Sequence, residues 1–171
     1  ALDSHARPAD AGGSAPSDVR EGIDATFRLL AHRMAEIRLH REYQTERLAD
    51  VRSGPLNQVF LNIADNAVRI GAKNIWVRVV ERGDNVRVEF ADDGPGVPSD
   101  YGSRIYDPFF TARKDGSGTG LGLHISRQIV ETHGGSLWHE PRPGGGTVFI
   151  IEIPALAGHE HGAPEVEPWA H

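Results

Sequence analysis

Apolar residues at helical spacing predict three helices along the chain. The first is capped by Ser17 or Asp18 and runs to about residue 37. The second has Pro55 in its first turn and ends at about residue 70, directly before Gly71. The third follows a glycine-rich run and ends at His133. The chain therefore has helical segments near its start, its middle and its last third.

Alternating apolar and polar positions predict five strands between and after these helices. They cover residues 38–43, 74–81, 86–91, 136–140 and 147–153. Turn residues at 83–85 and 143–146 separate the members of two strand pairs. The order of elements predicts an α+β fold, a two-layer α/β sandwich in which three helices cover one face of a mixed, mostly antiparallel sheet. Residues 93–118 form a long loop, and such loops are more often functional than accidental.

Composition divides the chain into three parts and excludes several classes of site. Residues 1–17 predict a flexible leader or linker, residues 18–154 one domain, and residues 155–171 a polar tail. There is no cysteine, which excludes disulfides and thiolate metal sites, and the scattered histidines do not predict a metal centre. A net charge of −6 argues against a nucleic-acid partner.

No stretch of the sequence has the length and apolarity of a membrane span, and the first 20 residues lack a signal-peptide pattern. The missing span predicts no membrane contact for this part of the protein, and the lack of cysteine suits a cytoplasmic location. It leaves open a membrane anchor elsewhere in a longer protein.

Two asparagines on the second helix are candidates for binding a metal ion. Asn62 and Asn66 are four residues apart, and so lie along one edge of the helix's apolar stripe. Their carboxamide oxygens suit Mg²⁺, which keeps most of its shell as water and phosphate. Arg69, one turn further, is placed to reach a phosphate. The alternative is a solvated amide pair on an ordinary amphipathic helix, and this helix taken alone favours that alternative.

A carboxylate and two glycines follow directly after the strand at 86–91. Asp92 at this strand end is suited to accept a hydrogen bond from the exocyclic amine of a base. Gly94 and Gly96 leave the turn open for a flat ring. The alternative is a plain surface turn, for which Asp-Gly-Pro-Gly is good chemistry.

The third helix is preceded by a run of alternating glycines over residues 116–122. Glycine lets backbone N–H groups approach a ligand closely, and the start of a helix favours anions. The run therefore predicts a phosphate-binding loop, although a glycine run alone is a weak signal. Two phenylalanines, Phe109 and Phe110, precede it.

In combination and in this order, the motifs resemble those of the catalytic and ATP-binding domain of a sensor histidine kinase. That domain belongs to the GHKL ATPase superfamily, with the Bergerat fold, which also includes gyrase, mismatch-repair ATPases and heat-shock chaperones. The resemblance covers residues 19–154. It identifies 62–67 as the N box, 92–96 as the first glycine box, 107–110 as the F box and 118–123 as the second glycine box.

This resemblance implies a nucleotide site and a role for each matching residue. Asp92 would bind the adenine amino group, with Thr147 assisting through water. Asn66 and Asn62 would be the catalytic residues that hold Mg²⁺ on the phosphates of ATP, with Arg69 nearby. Phe109 and Phe110 would pack a long ATP lid. The other implied nucleotide-binding residues shape the adenine pocket or belong to the lid: Gly94, Gly96, Lys114, Gly118, Thr119, Gly120, Leu121 and Gly122.

The resemblance also implies a reaction in which the γ-phosphate of ATP passes to a histidine on a dimerisation domain, and then to a response regulator. His5 and His32 lack the acidic neighbour expected of an acceptor histidine, which predicts a catalytic fragment without that domain. The superfamily's ATPases have a water-activating glutamate where this chain has Asn62, which favours transfer over hydrolysis. One alternative is a stand-alone serine kinase of the anti-sigma-factor type, which shares the fold. Another is a degenerate nucleotide-binding module that only docks partners.

Overall fold

In the part of the chain that the structure describes, three α-helices and a five-stranded sheet form two layers, as predicted. The structure is a computed structural model and describes residues 16–110 and 122–157. The helices are α1 (Val19–Leu30), α2 (Ser53–Arg69) and α3 (Gly122–Thr132). The strands are β1 (Pro16–Ser17), β2 (Arg38–Tyr43), β3 (Ala49–Asp50), β4 (Asn74–Arg82), β5 (Asn85–Asp92), β6 (Ser136–Pro141) and β7 (Thr147–Pro154). Two 3₁₀ helices span Ala31–Met34 and Gly102–Tyr106.

The first helix is shorter than predicted. Asp18 caps it, because its side chain accepts a hydrogen bond from the backbone N–H of Arg20 at 3.0 Å. The α-helix ends at Leu30 and continues as the 3₁₀ turn Ala31–Met34 rather than to residue 37. The tighter turn lets the chain leave the helix and enter β2 at Arg38 while Met34 stays buried.

The second helix buries the apolar stripe that its sequence predicts. The stripe faces the sheet and consists of Leu56, Val59, Phe60, Ile63 and Ala67, each at most 6% exposed. Its helical turns begin at Ser53, two residues before Pro55. The ring centres of Phe60 and Phe90 are 5.8 Å apart, so α2 packs directly on β5.

The sheet has the strand order β2-β4-β5-β7-β6. Only β2 and β4 are parallel, and every other neighbouring pair is antiparallel. The turn between β4 and β5 is shorter than predicted, because Asn85 already pairs with Arg82 and leaves a two-residue loop. In the register of β5 with β7, Asp92 lies opposite Thr147. The fold therefore brings together two residues that are far apart in the sequence.

The helices cover one face of the sheet, and a smaller apolar cluster lies on the other. The main cluster joins the three helices to alternate residues of the strands, among them Val86, Val88 and Phe90 of β5. The next residue, Ala91, belongs to the second cluster together with Val148 and Ile150. The central strands β5 and β7 therefore carry apolar residues on both faces of the sheet.

Two features were not predicted from the sequence. β1 and β3 form a small antiparallel sheet, to which Ala155 adds an isolated bridge at Ala49. The loop predicted at 93–118 contains the 3₁₀ helix Gly102–Tyr106, whose Ile105 and Tyr106 are buried. Within residues 16–110 and 122–157, no helix is long and apolar enough to cross a membrane.

Candidate functional site

A buried carboxylate lies at the end of β5. Asp92 is 2% exposed and its neighbour across the sheet, Thr147, is 3% exposed. The Asp92 Oδ1 atom accepts a hydrogen bond from the backbone N–H of Gly94 at 2.9 Å. Burial raises the pKa of Asp92, and hydrogen bonds from the backbone N–H groups of Gly94 and Thr147 oppose that rise. Because burial of a carboxylate at a strand end is energetically unfavourable, Asp92 is a candidate functional group.

Asp92 forms the polar end of a narrow cleft between α2 and the sheet. The other residues that line the cleft are apolar: Ile63, Ala64, Ala67, Ile75, Phe90, Ala91 and Phe149. Apolar walls with one hydrogen-bond acceptor suit a flat heteroaromatic ring that carries an amino group. The cleft is too narrow to hold a water molecule.

Glycines let two loops approach each other beside Asp92. Gly96 has a φ of +79°, and a Cβ atom there would lie 3.3 Å from the backbone oxygen of Gly146. Gly146 has a φ of +106°, and a Cβ atom there would overlap the backbone oxygen of Asp92. At Gly94 a Cβ atom would meet the side chain of Ile70. Gly146 was not among the predicted site residues, although it stands in a run of three glycines just before a strand.

Asn62 connects α2 to the start of α3. Its Nδ2 atom donates hydrogen bonds to the backbone oxygen of Gly122 and to Ser126 Oγ, both at 3.1 Å. Its Oδ1 atom accepts a hydrogen bond from Gln58 Nε2 at 2.8 Å. Ser126, which is 0% exposed, was not predicted as part of the site. No pattern in the local sequence of α3 singles Ser126 out.

Asn66, one turn further along α2, is in a different situation. It is half-buried, and its side chain makes no hydrogen bond to any residue of 16–110 or 122–157. Asn62 and Asn66 thus share an edge of α2, as predicted, but only Asn66 has a carboxamide oxygen free of protein partners within these ranges.

Arg69 is bound by a neighbouring carboxylate. Its Nε atom lies 2.7 Å from Asp65 Oδ2, and Arg33 also donates to Asp65. Both arginines are exposed. A phosphate at this position has to compete with Asp65 for the guanidinium groups.

The glycine-rich run is only partly described. Lys114, Gly118, Thr119, Gly120 and Leu121 lie outside the described residues, and Gly122 is the first residue of α3. The two phenylalanines before the run have different surroundings. Phe109 is 73% exposed at a φ of +64°, whereas the Phe110 ring packs edge-on against Tyr101 at 5.2 Å.

Comparison with known proteins identifies the family. The family model of the histidine kinase-, DNA gyrase B- and HSP90-like ATPases matches residues 52–157. The chain belongs to this ATPase family. The match confirms the resemblance found in the sequence, and it includes Asn62, Asn66, Asp92 and Thr147. As a member of this ATPase family, the domain is a nucleotide-binding domain.

The similar proteins include sensor proteins and sensor histidine kinases. The C4-dicarboxylate transport sensor protein DctS of Rhodobacter capsulatus is 38% identical over 115 residues, which cover 64% of this chain and 17% of DctS. The chain therefore spans under a fifth of that relative. The solved mycobacterial sensor histidine kinase MprB superposes with a TM-score of 0.77 at 27% identity, covering 84% of this chain and 98% of the solved one. Histidine kinase ThkA, solved in complex with the response regulator TrrA, superposes with a TM-score of 0.71 at 29% identity, covering 84% and 42%.

Proposed function

We propose that this chain is the ATP-binding catalytic domain of a two-component sensor histidine kinase. It transfers the γ-phosphate of ATP to a histidine on a dimerisation domain that is not in this chain. The observation that carries the proposal is the buried Asp92 at the end of an apolar cleft, in a chain of this ATPase family. The sensor kinases among its relatives support the choice of histidine kinase within the family.

In this proposal Asp92 recognises adenine. The Asp92 carboxylate is hydrogen-bonded by the backbone N–H groups of Gly94 and Thr147, and in this proposal it accepts one further hydrogen bond from the exocyclic amine. Thr147, directly across the β5–β7 pair, contributes through a bridging water. Gly94 and Gly96 keep the rim of the cleft free of side chains, so that the base lies against the apolar wall.

Magnesium is the ion that this fold implies, and the residues present fit it in part. Mg²⁺ takes oxygen ligands and retains several waters, so one or two protein ligands are enough. Asn66 has an uncommitted carboxamide oxygen and fits as a ligand. Asn62 can become a second ligand only by releasing Gln58, so its first role is to hold α3. Bound Mg²⁺ would neutralise charge on the phosphates.

The triphosphate would extend from Asp92 towards the exposed edge of α2. Arg69 would exchange Asp65 for a phosphate oxygen, which costs little because the pair is solvent-exposed. The remaining phosphate contacts in this proposal are Gly122 and the sequence-based candidates Lys114, Gly118, Thr119, Gly120 and Leu121. Phosphoryl transfer needs mostly positioning and charge neutralisation, and these groups would supply both.

The proposed partners are the dimerisation domain of the same kinase and a response regulator. The complex of ThkA with a response regulator supports the second partner. We place the reaction in the cytoplasm, where ATP is available. The serine-kinase alternative has no support from the sensor kinases that this chain resembles.

Calorimetry with Mg-ATP tests the nucleotide site. We expect binding by the wild type, loss of about tenfold or more in affinity for Asp92→Ala, and wild-type affinity for Asp84→Ala, which removes the same charge from the exposed β4–β5 turn. Equal affinity of the wild type and Asp92→Ala would contradict the adenine assignment.

Radiolabelled ATP tests the reaction. The chain alone should stay unlabelled, and the dimerisation domain of the full-length protein, added separately, should gain an acid-labile, base-stable label. An acid-stable label on a partner's serine would favour the alternative kinase instead.

A further inference from the structure

An arginine and a tryptophan from distant strands meet on the face of the sheet that the helices do not cover. Arg142 directly follows Pro141, the last residue of β6, yet its guanidinium lies 4.1 Å from the centre of the Trp76 ring on β4. A cation at this distance from an indole ring is attracted to it. The strand order is β4-β5-β7-β6, so the two side chains meet across β5 and β7.

This contact lies over the pairing of β5 with β7. Trp76 is opposite Ala91 in the register of β4 with β5, and Ala91 is in turn opposite Val148 of β7. Ala91 and Val148 are 1% and 3% exposed and belong to the apolar cluster against which Trp76 packs. The next pair along the same two strands is Asp92 with Thr147. The contact therefore lies one residue pair away from the candidate nucleotide site.

The turn that follows Arg142 has few means of holding its own shape. Gly144, Gly145 and Gly146 have φ values of +91°, +110° and +106°, and glycine loses more backbone freedom on folding than any other residue. Arg142 makes three hydrogen bonds to this turn. Its backbone N–H donates to the Gly146 oxygen and its backbone oxygen accepts from the Gly145 N–H, both at 3.0 Å. Its Nη1 atom donates to the Gly145 oxygen at 2.9 Å.

The far end of the glycine turn touches Asp92 directly. Gly146 lies against the backbone oxygen of Asp92, and the N–H of Thr147 donates to the Asp92 carboxylate. Burial has the largest effect on the pKa of Asp92 and raises it, whereas the backbone hydrogen bonds and, more weakly, the positive charge of Arg142 lower it. Arg142 therefore acts on the buried carboxylate both through the turn and through its charge.

We propose that Arg142, held on the ring of Trp76, is a positioning residue that fixes the turn 144–146 against Asp92 and so maintains the base end of the nucleotide site. The inference rests on the proposed function, since it assumes that the base binds at Asp92. Every step from Arg142 to Asp92 is a hydrogen bond, a covalent bond or a direct contact: Arg142 to Gly145, Gly146 to Asp92, and Thr147 to the carboxylate.

A double-mutant cycle in nucleotide affinity tests the inference. Arg142→Met keeps the apolar stem and removes the charge and the donors, whereas Trp76→Leu removes the ring. Each should weaken Mg-ATP binding in calorimetry by about three- to tenfold, the scale of a single hydrogen bond. The double variant should lose no more than either single variant, because both changes break the same link. Trp76→Phe keeps an aromatic face and should bind nearly as well as the wild type.

Arg87 provides the matched control. Its guanidinium lies 5.5 Å from the centre of the Trp138 ring on the same face, but Arg87 is five residues before Asp92 along β5. Arg87→Met should therefore keep the wild-type affinity. The loss in Arg142→Met should also be as large for ADP as for Mg-ATP, because the turn lies at the base end. An equal loss in Arg87→Met, or losses that add in the double variant, would overturn the inference.

Hydrogen exchange of the ligand-free protein separates this inference from the proposed function. The N–H of Thr147 should exchange faster in Arg142→Met than in the wild type, because the turn no longer holds it on the Asp92 carboxylate. The N–H of Val79, within β4, should not change. Unchanged exchange at Thr147 would overturn the positioning role. Faster exchange at Thr147 in a protein that binds no nucleotide would instead overturn the proposed function and support the role of Arg142 in holding the turn.

Discussion

The backbone of Gly146 lies so close to the carbonyl oxygen of Asp92 that no Cβ atom fits at position 146. The contact joins the turn before β7 to the end of β5, and Asp92 is paired with the next residue, Thr147. The position of the buried carboxylate therefore depends on the absence of a side chain at position 146, which is over fifty residues away in the chain.

Gly146→Ala should lower the free energy of unfolding more than Gly145→Ala does. Both glycines have a φ near +110°, so both substitutions strain the backbone by about 1–3 kcal/mol. Only Gly146 faces the Asp92 carbonyl, whereas position 145 is open, so the overlap should add about 1–3 kcal/mol. Urea unfolding of the two variants measures the difference. Equal losses of unfolding free energy in the two variants would show that a methyl group at position 146 does not strain the contact with Asp92.

Asp92→Asn should stabilise the fold while weakening nucleotide binding. The folded state raises the pKa of Asp92 above 3.8, so its contribution to stability is present below that pH and is lost as the pH rises through the folded value. Removing the charge should recover about 1 kcal/mol at neutral pH, a rise of about 2–4 °C in Tm. The amide keeps one acceptor for Gly94 but turns an N–H towards the adenine amine, so Mg-ATP affinity should fall about tenfold.

Asp93→Asn is the matched comparison for that experiment, and it should destabilise the protein. Burial raises the pKa of Asp93, but hydrogen bonds from Asn74 and from the backbone N–H of Lys73 outweigh this and lower it. The charged Asp93 side chain therefore stabilises the fold above the pKa that it has in the unfolded chain. This stabilisation is lost as the pH falls through its lower pKa in the folded protein. Thermal melts at pH 7 in which both variants shift Tm in the same direction would contradict this account.

Asn62→Ala and Asn66→Ala should differ in stability although both residues lie on one edge of α2. Removing Asn62 takes away the partner of the fully buried Ser126 hydroxyl, which should cost about 1–2 kcal/mol in unfolding free energy. Asn66→Ala should stay within about 0.5 kcal/mol of the wild type yet lose the magnesium dependence of ATP binding. Gln128→Ala, at an exposed position of α3, controls for the loss of an amide. A magnesium response that survives in Asn66→Ala would exclude Asn66 as a ligand.

Unfolding free energy should fall as the pH drops below about 6.5, and His139 should account for part of the slope. Its folded pKa is lowered, so its contribution is present above the unfolded pKa and is lost as the pH falls towards the folded value. One proton accounts for a slope of at most about 1.4 kcal/mol per pH unit. Subtracting the curve of His139→Gln from that of the wild type isolates this share, and identical curves would rule it out.

The sequence predicted the layers of the fold and the motifs of the site because both depend on local patterns. The apolar stripe of α2 and the alternating residues of β5 indicate directly which side chains are buried. Asp92 is the last residue of β5, so its position could be read from the end of the strand pattern. The contacts made across the fold were not predictable in this way. Ser126 stands in an ordinary helical sequence and Gly146 in a glycine run typical of a turn. Only the packing of α3 on α2 and of β7 on β5 shows why each is small.

The same limit explains the 3₁₀ helix Gly102–Tyr106, which the sequence presents as loop. Its Ile105 and Tyr106 are buried without a periodicity of their own, and the Tyr106 ring contacts His139 of β6 and Arg127 of α3. A prediction of a loop from turn residues alone therefore misses Tyr106, which packs against α3.

The strand order also determines how the sheet has to assemble. β4–β5 and β6–β7 are hairpins of neighbouring segments, whereas the β5–β7 contact can form only after the chain from 93 to 135 has closed on itself. Asp92 and Thr147 lie at one end of this seam, so a nucleotide bound there would touch both hairpins. Such a ligand would hold the two hairpins together across this pairing, and the free energy of unfolding should rise as the nucleotide concentration rises.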